Sequence, residues 1–296
     1  MTSLELGCAS LCRAQNPPVI GTVSPRQMQV FVELPKPWPT PLVIPGLERF
    51  VFNAGQKGIV ASCIAFMPAR GKTDLENPRL IIGQQQEAGL NPFYWRHYRV
   101  PRAKVASFVQ GLLDSSVDSQ EWQIKVPLGR EIFICAHAAH DRCCGVLGPQ
   151  LVAQALADTD LDNVAIHECS HLGGHRFAPT LIEIPSMSCY GFVDAKSLRA
   201  ICLREGSYQE LVTKHYRGFM GLSAKLQYAE ARMFHNMGWS WLDNRRGSAI
   251  IDGNVIRLVT PEKEFEFTLQ AGPGVLSKQS CRDDSAKIQP TYIISD

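Results

Sequence analysis

The 296-residue sequence has no apolar run approaching the roughly 18 residues that a membrane-spanning helix needs. Charge imbalance is also missing. Thirty Lys and Arg against 28 Asp and Glu leave a formal net charge of +2, so neither nucleic acid nor an anionic membrane is an expected partner. The opening "MTSLELGCASLCRAQNPP" lacks a basic start followed by an apolar stretch. A secretory signal is therefore not expected, and the cytoplasm or an equivalent reducing compartment is the expected location. There is no glycine-rich dinucleotide fingerprint, so a reductase serving this chain is expected to be a separate protein. No motif identifies the paired carboxylates of glycoside hydrolysis. A Cys-x-x-Cys at a helix start is absent, which argues against an ordinary dithiol oxidoreductase. Internal repeats are absent too.

What is present is a globular composition, 45% hydrophobic and 20% charged, long enough for two domains. Ten cysteines are many for such a chain. In a reducing compartment they read as ligands, catalytic thiols or small apolar side chains rather than disulfides. Cys8, Cys12, Cys63, Cys202 and Cys281 are scattered, whereas Cys135, Cys143, Cys144 and Cys169 share the segment 135–175 with five of the eight histidines.

Eight of the nineteen prolines lie in residues 17–45, an irregular entry segment interrupted by one strand, "QMQVFVEL". "GIVASCIAFMP" and "RLIIGQQ" read as strands, and "PRAKVASFVQGLLDS" as a helix with Val105, Phe108, Val109, Leu112 and Leu113 on one face. Together they predict a smaller N-terminal α/β domain over residues 1–125. From 126 to 240, "REIFICA" predicts a buried strand, "GPQLVAQALAD" a helix with Pro149 near its first turn, and "NVAIHEC" a second strand parallel to the first. "TLIEIP" and "SCYGFV" predict a hairpin, and Asp194 caps a following helix. Residues 208–237 read as mainly helical. The β-α-β-β-β-α order suggests a thioredoxin-like mixed sheet, within an α/β (α+β) fold class. The tail, 241–296, predicts a short β-rich extension.

In a parallel β-α-β unit the loops after both strands open on the same sheet edge. Cys135 ends the first strand, Cys143 and Cys144 follow it, and "HECSHLGGHRF" places His171 and His175 after the second. The pattern favours a site of two thiolates and two imidazoles. A tetrahedral zinc accepts that donor set. Zinc modules, however, commonly take cysteines two to four residues apart, whereas eight residues separate Cys135 from Cys144. The wide pair suits a two-iron cluster better. Neutral imidazoles in place of thiolates make such a cluster easier to reduce and carry protons that can move with the electron.

The stretch "CAHAAHDRCCG", followed by "CSHLGGHRFA" and "YGFV", resembles the sucrase/ferredoxin-like family. In thioredoxin-like ferredoxins the second ligand loop is Cys-x3-Cys, trailed by a proline, an apolar strand, a second proline and Tyr-Gly. Here His171-x3-His175 stands at that pair, and Pro179, "TLIEI", Pro185 and Tyr190–Gly191 follow in matching order. The resemblance covers about residues 126–235. It implies a thioredoxin-like ferredoxin domain whose 2Fe–2S cluster is ligated by Cys135, Cys144, His171 and His175, as in the bis-histidine branch of the family. Cys144 stands before glycine as the family's ligand does, with Cys143 and Cys169 as the substitutes.

The expected function is that of an electron carrier between protein donor and acceptor, more a carrier than an enzyme. The oligomeric state is left open. The alternatives are a thiol-disulfide oxidoreductase using Cys135 or Cys143–Cys144, and a zinc-stabilised binding module. Cys63, Cys189 and Cys202 read as packing residues. The Cys8-x3-Cys12 pair reads as non-ligating for want of a nearby histidine. His137 reads as a loop hydrogen-bonder and His140 as solvated, Asp141 and Arg176 as turn or supporting residues, and Tyr216 and Arg217 as docking or packing residues. Gly173 and Gly174 are expected to let the backbone approach the cluster.

Overall fold

The computed structural model describes residues 7–126 and 129–295; the first six residues, on which part of the signal-peptide expectation falls, lie outside them. The chain begins with helix α1 (Cys8–Gln15), strand β1 (Met28–Glu33) and helix α2 (Phe50–Gln56). Strands β2 (Ala61–Pro68), β3 (Arg79–Gln85) and β4 (Phe93–Arg99), helix α3 (Val105–Asp114) and a two-residue strand, β5 (Gln123–Ile124), follow. Every residue of β1 is buried, because both faces are covered. Met28, Val30 and Val32 pack with Phe50 of α2 and Phe108 of α3, while Phe31 points the other way and stacks on Phe133, with ring centroids 4.1 Å apart. The period of two assigns one core to each face.

Next come β6 (Glu131–Cys135), α4 (Arg142–Ala157), β7 (Ala165–Cys169), and the hairpin of β8 (Leu181–Ile184) and β9 (Ser188–Tyr190). They lead to α5 (Ala195–Leu203), α6 (Tyr208–Lys214), β10 (Tyr216–Phe219), α7 (Ala224–Met237) and α8 (Trp239–Asn244). β6 and β7 are parallel, with Cys135 opposite Cys169, and α4 connects them. Asp194 caps α5 through a reciprocal pair of bonds with Ser197.

Two sequence expectations are corrected here. The helix containing Pro149 begins at Arg142, so this proline lies inside it; Asp141 caps the true start by accepting from the Cys143 N–H at 2.8 Å. Residues 208–237 are not continuously helical, because β10 pairs antiparallel with β9 and forms the edge of the sheet.

The mixed α/β architecture expected from the sequence is the one observed. Its main sheet has ten strands in the order β10-β9-β8-β6-β7-β2-β1-β3-β4-β5. Antiparallel pairing of β2 with β7, Phe66 opposite Cys169, joins the strands from residues 1–125 to those from 126–240. The same junction holds a buried polar knot. Glu131 accepts from both guanidinium nitrogens of Arg79 at 3.0 and 2.6 Å and lies 2.8 Å from His167 Nε2. Burial raises the Glu131 carboxyl, but His167 and Arg79 outweigh it and bring it down to about 2.

The C-terminal segment adds β11 (Ser248–Asp252), β12 (Val255–Val259), β13 (Glu264–Ala271), β14 (Val275–Ser277), β15 (Lys287–Gln289) and β16 (Tyr292–Ser295). Four of these form an antiparallel sheet, β11-β12-β13-β16, and β14 pairs with β15. Among the described residues, no helix is long and apolar enough to cross a membrane.

Candidate metal centre

Two loops build the site. The first leaves β6 at Cys135, whose N–H donates to the Thr180 carbonyl at 3.0 Å. The chain then turns on the His137 carbonyl, which accepts from the N–H groups of His140 and Asp141 at 3.2 and 3.1 Å. Helix α4 lies hard against this turn. A side chain at Gly148 would collide with the Cys135 carbonyl, and one at Gly145 with Ala138. Cys143 and Cys144 therefore sit in the first turn of α4, directly after the Asp141 cap.

The second loop follows β7. Gly173 and Gly174 both have positive φ, +81° and +72°, which glycine adopts without strain. A Cβ at Gly174 would strike the guanidinium of Arg217, so this glycine admits an arginine as well as a turn. Arg217 is 3% exposed. It donates from Nη1 to the Gly173 carbonyl at 3.0 Å, from Nε to Thr22 Oγ1 at 3.0 Å and from Nη2 to the Thr22 carbonyl at 2.8 Å. Burial lowers its pKa, while the sulfurs of Cys189, Cys144 and Cys135 pull the other way. A buried cation thus faces the thiols. Sequence alone assigns it only docking or packing, because its burial follows from β10, a strand inside a segment whose pattern is mainly helical.

The loops meet at Cys135 and Cys144, which are 0% and 1% exposed. A hydrogen bond from Cys144 lowers the Cys135 thiol well below its ordinary value, burial opposes this, and a bond from His171 adds to it; Cys144 is raised by the same pairing. The His171 and His175 ring centroids are 5.2 Å apart. His171 Nδ1 and both ring nitrogens of His175 are buried without a hydrogen-bond partner. Burial also lowers the His175 pKa, which keeps the imidazole in its neutral, ligating form. His140 stacks on His171 with centroids 3.6 Å apart, and its pKa is down to about 4 through burial and the neighbouring imidazoles. It is half-buried rather than solvated, and its nearest ring nitrogen lies within 4.8 Å of those of His171 and His175. His137 is a loop hydrogen-bonder, with Nε2 3.0 Å from the Trp38 carbonyl.

The two substitutes, Cys169 opposite Cys135 on β7 and Cys143 beside Cys144, have different surroundings. Cys169 is 0% exposed in the core, and burial raises its thiol well above the ordinary value. Cys143 turns to a second set of thiols, its sulfur 3.7 Å from that of Cys8 and 3.3 Å from that of Cys281. Cys12 does not join them; it packs with Val19, Phe177 and Phe192. All ten cysteines are free.

The donor set fits a metal–sulfur group. Thiols and imidazoles with idle, buried nitrogens come from two loops, and a buried arginine offsets negative charge. Among the described residues, the tightest gatherings of donor atoms are His140 with His171 and His175, and Cys8 with Asp141, Cys143 and Cys281.

The model of a family described as "Sucrase/ferredoxin-like" matches residues 19–218. A curated protein of the yeast Meyerozyma guilliermondii, "Altered inheritance of mitochondria protein 32", is 26% identical over 149 residues, 48% of this chain and 49% of that protein. The chain therefore spans about half the length of this relative. No solved structure matches it.

Proposed function

The chain belongs to the sucrase/ferredoxin-like family, and from that premise and the converging donors we propose that it is a one-electron carrier holding a 2Fe–2S cluster on Cys135, Cys144, His171 and His175. One observation supports the reading: two sequence-distant loops carry two buried, hydrogen-bonded thiols and two imidazoles, of which His171 Nδ1 and both nitrogens of His175 lack partners. Such a group supplies one-electron chemistry at a higher potential than an all-thiolate cluster.

The chain's own residues set the conditions. Cys135 and Cys144 lie at the back, shielded from solvent, whereas His171–Arg176 form the partly exposed rim where a partner protein would dock and exchange the electron. Arg217 holds the rim loop through Gly173 and offsets thiolate charge. His175 Nε2 lies 3.8 Å from Asp141 Oδ2, too far for a hydrogen bond, so the carboxylate favours a proton on that nitrogen through charge alone while Nδ1 remains for ligation. Electron transfer coupled to that proton would make the potential fall as pH rises.

The burial of both sulfurs disfavours thiol exchange, since a substrate disulfide must reach the attacking thiolate. The eight residues between Cys135 and Cys144, more than zinc modules commonly place between paired cysteines, favour two metals over one zinc. We place the carrier in a reducing compartment, the cytoplasm by our reading, with separate protein donor and acceptor.

Anaerobic purification with visible and EPR spectra tests the proposal. A red-brown protein with two irons and two sulfides, whose reduced signal is lost or altered on replacing His171 and His175, is expected. A colourless protein with zinc at the four donors contradicts it.

A further inference from the structure

Beside the first donor set lies a second one, assembled from three distant parts of the chain. Cys8 comes from α1, Cys143 from the first turn of α4, and Cys281 from the turn between β14 and β15. Their sulfurs form a closed triangle: Cys8–Cys143 3.7 Å, Cys143–Cys281 3.3 Å and Cys281–Cys8 3.4 Å. A tetrahedral zinc with Zn–S near 2.3 Å sets its sulfurs roughly 3.8 Å apart, close to this triangle. A disulfide, at about 2.05 Å, would use two of the thiols and strand the third.

Asp141 supplies the fourth group. It is 2% exposed, and both its carboxylate oxygens are 4.0 Å from Cys8 Sγ. Backbone N–H groups of Cys143 and Cys281 donate to it at 2.8 and 3.1 Å and fix its orientation. One donor atom from each of the four residues lies within 4.8 Å of the others. Three thiols packed around a buried carboxylate make a poor apolar core, because the carboxylate disfavours both its own burial and any thiolate beside it. A cation resolves that conflict.

We propose that Cys8, Cys143, Cys281 and Asp141 form a second metal site for a thiophilic divalent cation, zinc by its tetrahedral preference. The site staples α1 and the C-terminal segment over the first loop. Arg282 of the same turn donates to the Ala139 carbonyl, and Ser280 Oγ lies 3.4 Å from Asp141 Oδ2. The vicinal cysteines divide their work, Cys144 facing Cys135 and Cys143 facing the staple. This site rests on no part of the cluster reading.

Metal analysis of the full chain, purified anaerobically, tests it. One zinc per chain is expected beyond any iron, and Cys8→Ser or Cys281→Ser should remove it while leaving iron and sulfide content unchanged. Cobalt added to the reduced, zinc-free chain should give thiolate-to-cobalt charge-transfer absorption. Either substitution should weaken cobalt binding by at least about a hundredfold, since loss of a direct ligand exceeds the loss of an outer partner. Should the variants misfold, alkylation of the native wild-type chain decides instead. Cys8, Cys143 and Cys281 should be protected by zinc and released together by a chelator. The proposal is overturned by a wild-type chain that takes up no zinc or cobalt, by absorption that ignores both substitutions, or by alkylation indifferent to zinc. Iron measured in the same samples reports separately on the cluster.

Discussion

Replacing Arg217 probes the first site without touching a proposed ligand. Its guanidinium makes three hydrogen bonds, two of them to Thr22 and one to the Gly173 carbonyl. Bonds from a charged donor contribute about 1.5 kcal/mol each at the low end, so Arg217→Met forfeits ~4–5 kcal/mol. Relief of the guanidinium's own burial cost offsets part, leaving about 2–4 kcal/mol of net destabilisation. For a chain of this size that lowers Tm by roughly 3–6 °C. The charge matters separately. For a separation on the order of 10 Å and an effective dielectric of about 20, a lost positive charge is worth ~1.7 kcal/mol, or roughly 70 mV for one electron. Arg217 favours the reduced, more negative state, so the potential of Arg217→Met falls. Arg217→Lys keeps the charge and loses the planar fork, so its melting temperature falls while its potential stays near wild type. Differential scanning calorimetry and spectroelectrochemical titration of all three proteins separate the two effects. Equal potentials in wild type and Arg217→Met would refute the electrostatic reasoning, and equal melting temperatures the hydrogen-bond reasoning.

Two further perturbations follow from buried groups. The Glu131 carboxyl, ordinarily near 4.5, is held at about 2 in the folded state, so its stabilisation is complete above about pH 4.5 and is lost as pH falls through about 2. The shift corresponds to about 3 kcal/mol. Urea denaturation of wild type across that window should show the loss, and Glu131→Gln should be less stable at neutral pH with a flatter acid profile; parallel profiles would contradict the linkage. Cys143→Ala and Cys144→Ala should part company in metal analysis. The first is expected to keep iron and lose zinc, the second to lose iron, and iron loss from both would show that the two cysteines are not divided between two sites.

The readable part of this molecule was local. The short apolar runs in "REIFICA" and "NVAIHEC" mark β6 and β7 as buried strands, and cysteine and histidine at or just past each strand end identify the two loops, because a parallel pair carries both to one edge. What escaped the reading depends on contacts between distant segments. Cys281 is 138 residues from Cys143, and nothing in its neighbourhood marks it as a partner. Cys8 has no nearby histidine in sequence to mark it as a ligand, yet its partners are sulfurs from α4 and the C-terminal turn. β10 is four residues between two helices, too short for its period to show, and with it went the burial of Arg217. His140 reads as a loop residue until its stacking on His171 is seen.

Hyperfine EPR of the reduced protein, with histidine nitrogens isotopically labelled, tests the central claim most directly. Strong coupling to two histidine nitrogens is predicted, one lost in His171→Ala and the other in His175→Ala, with both retained in His140→Ala. A cluster signal with no strongly coupled histidine nitrogen, or one unchanged by either substitution, would contradict it.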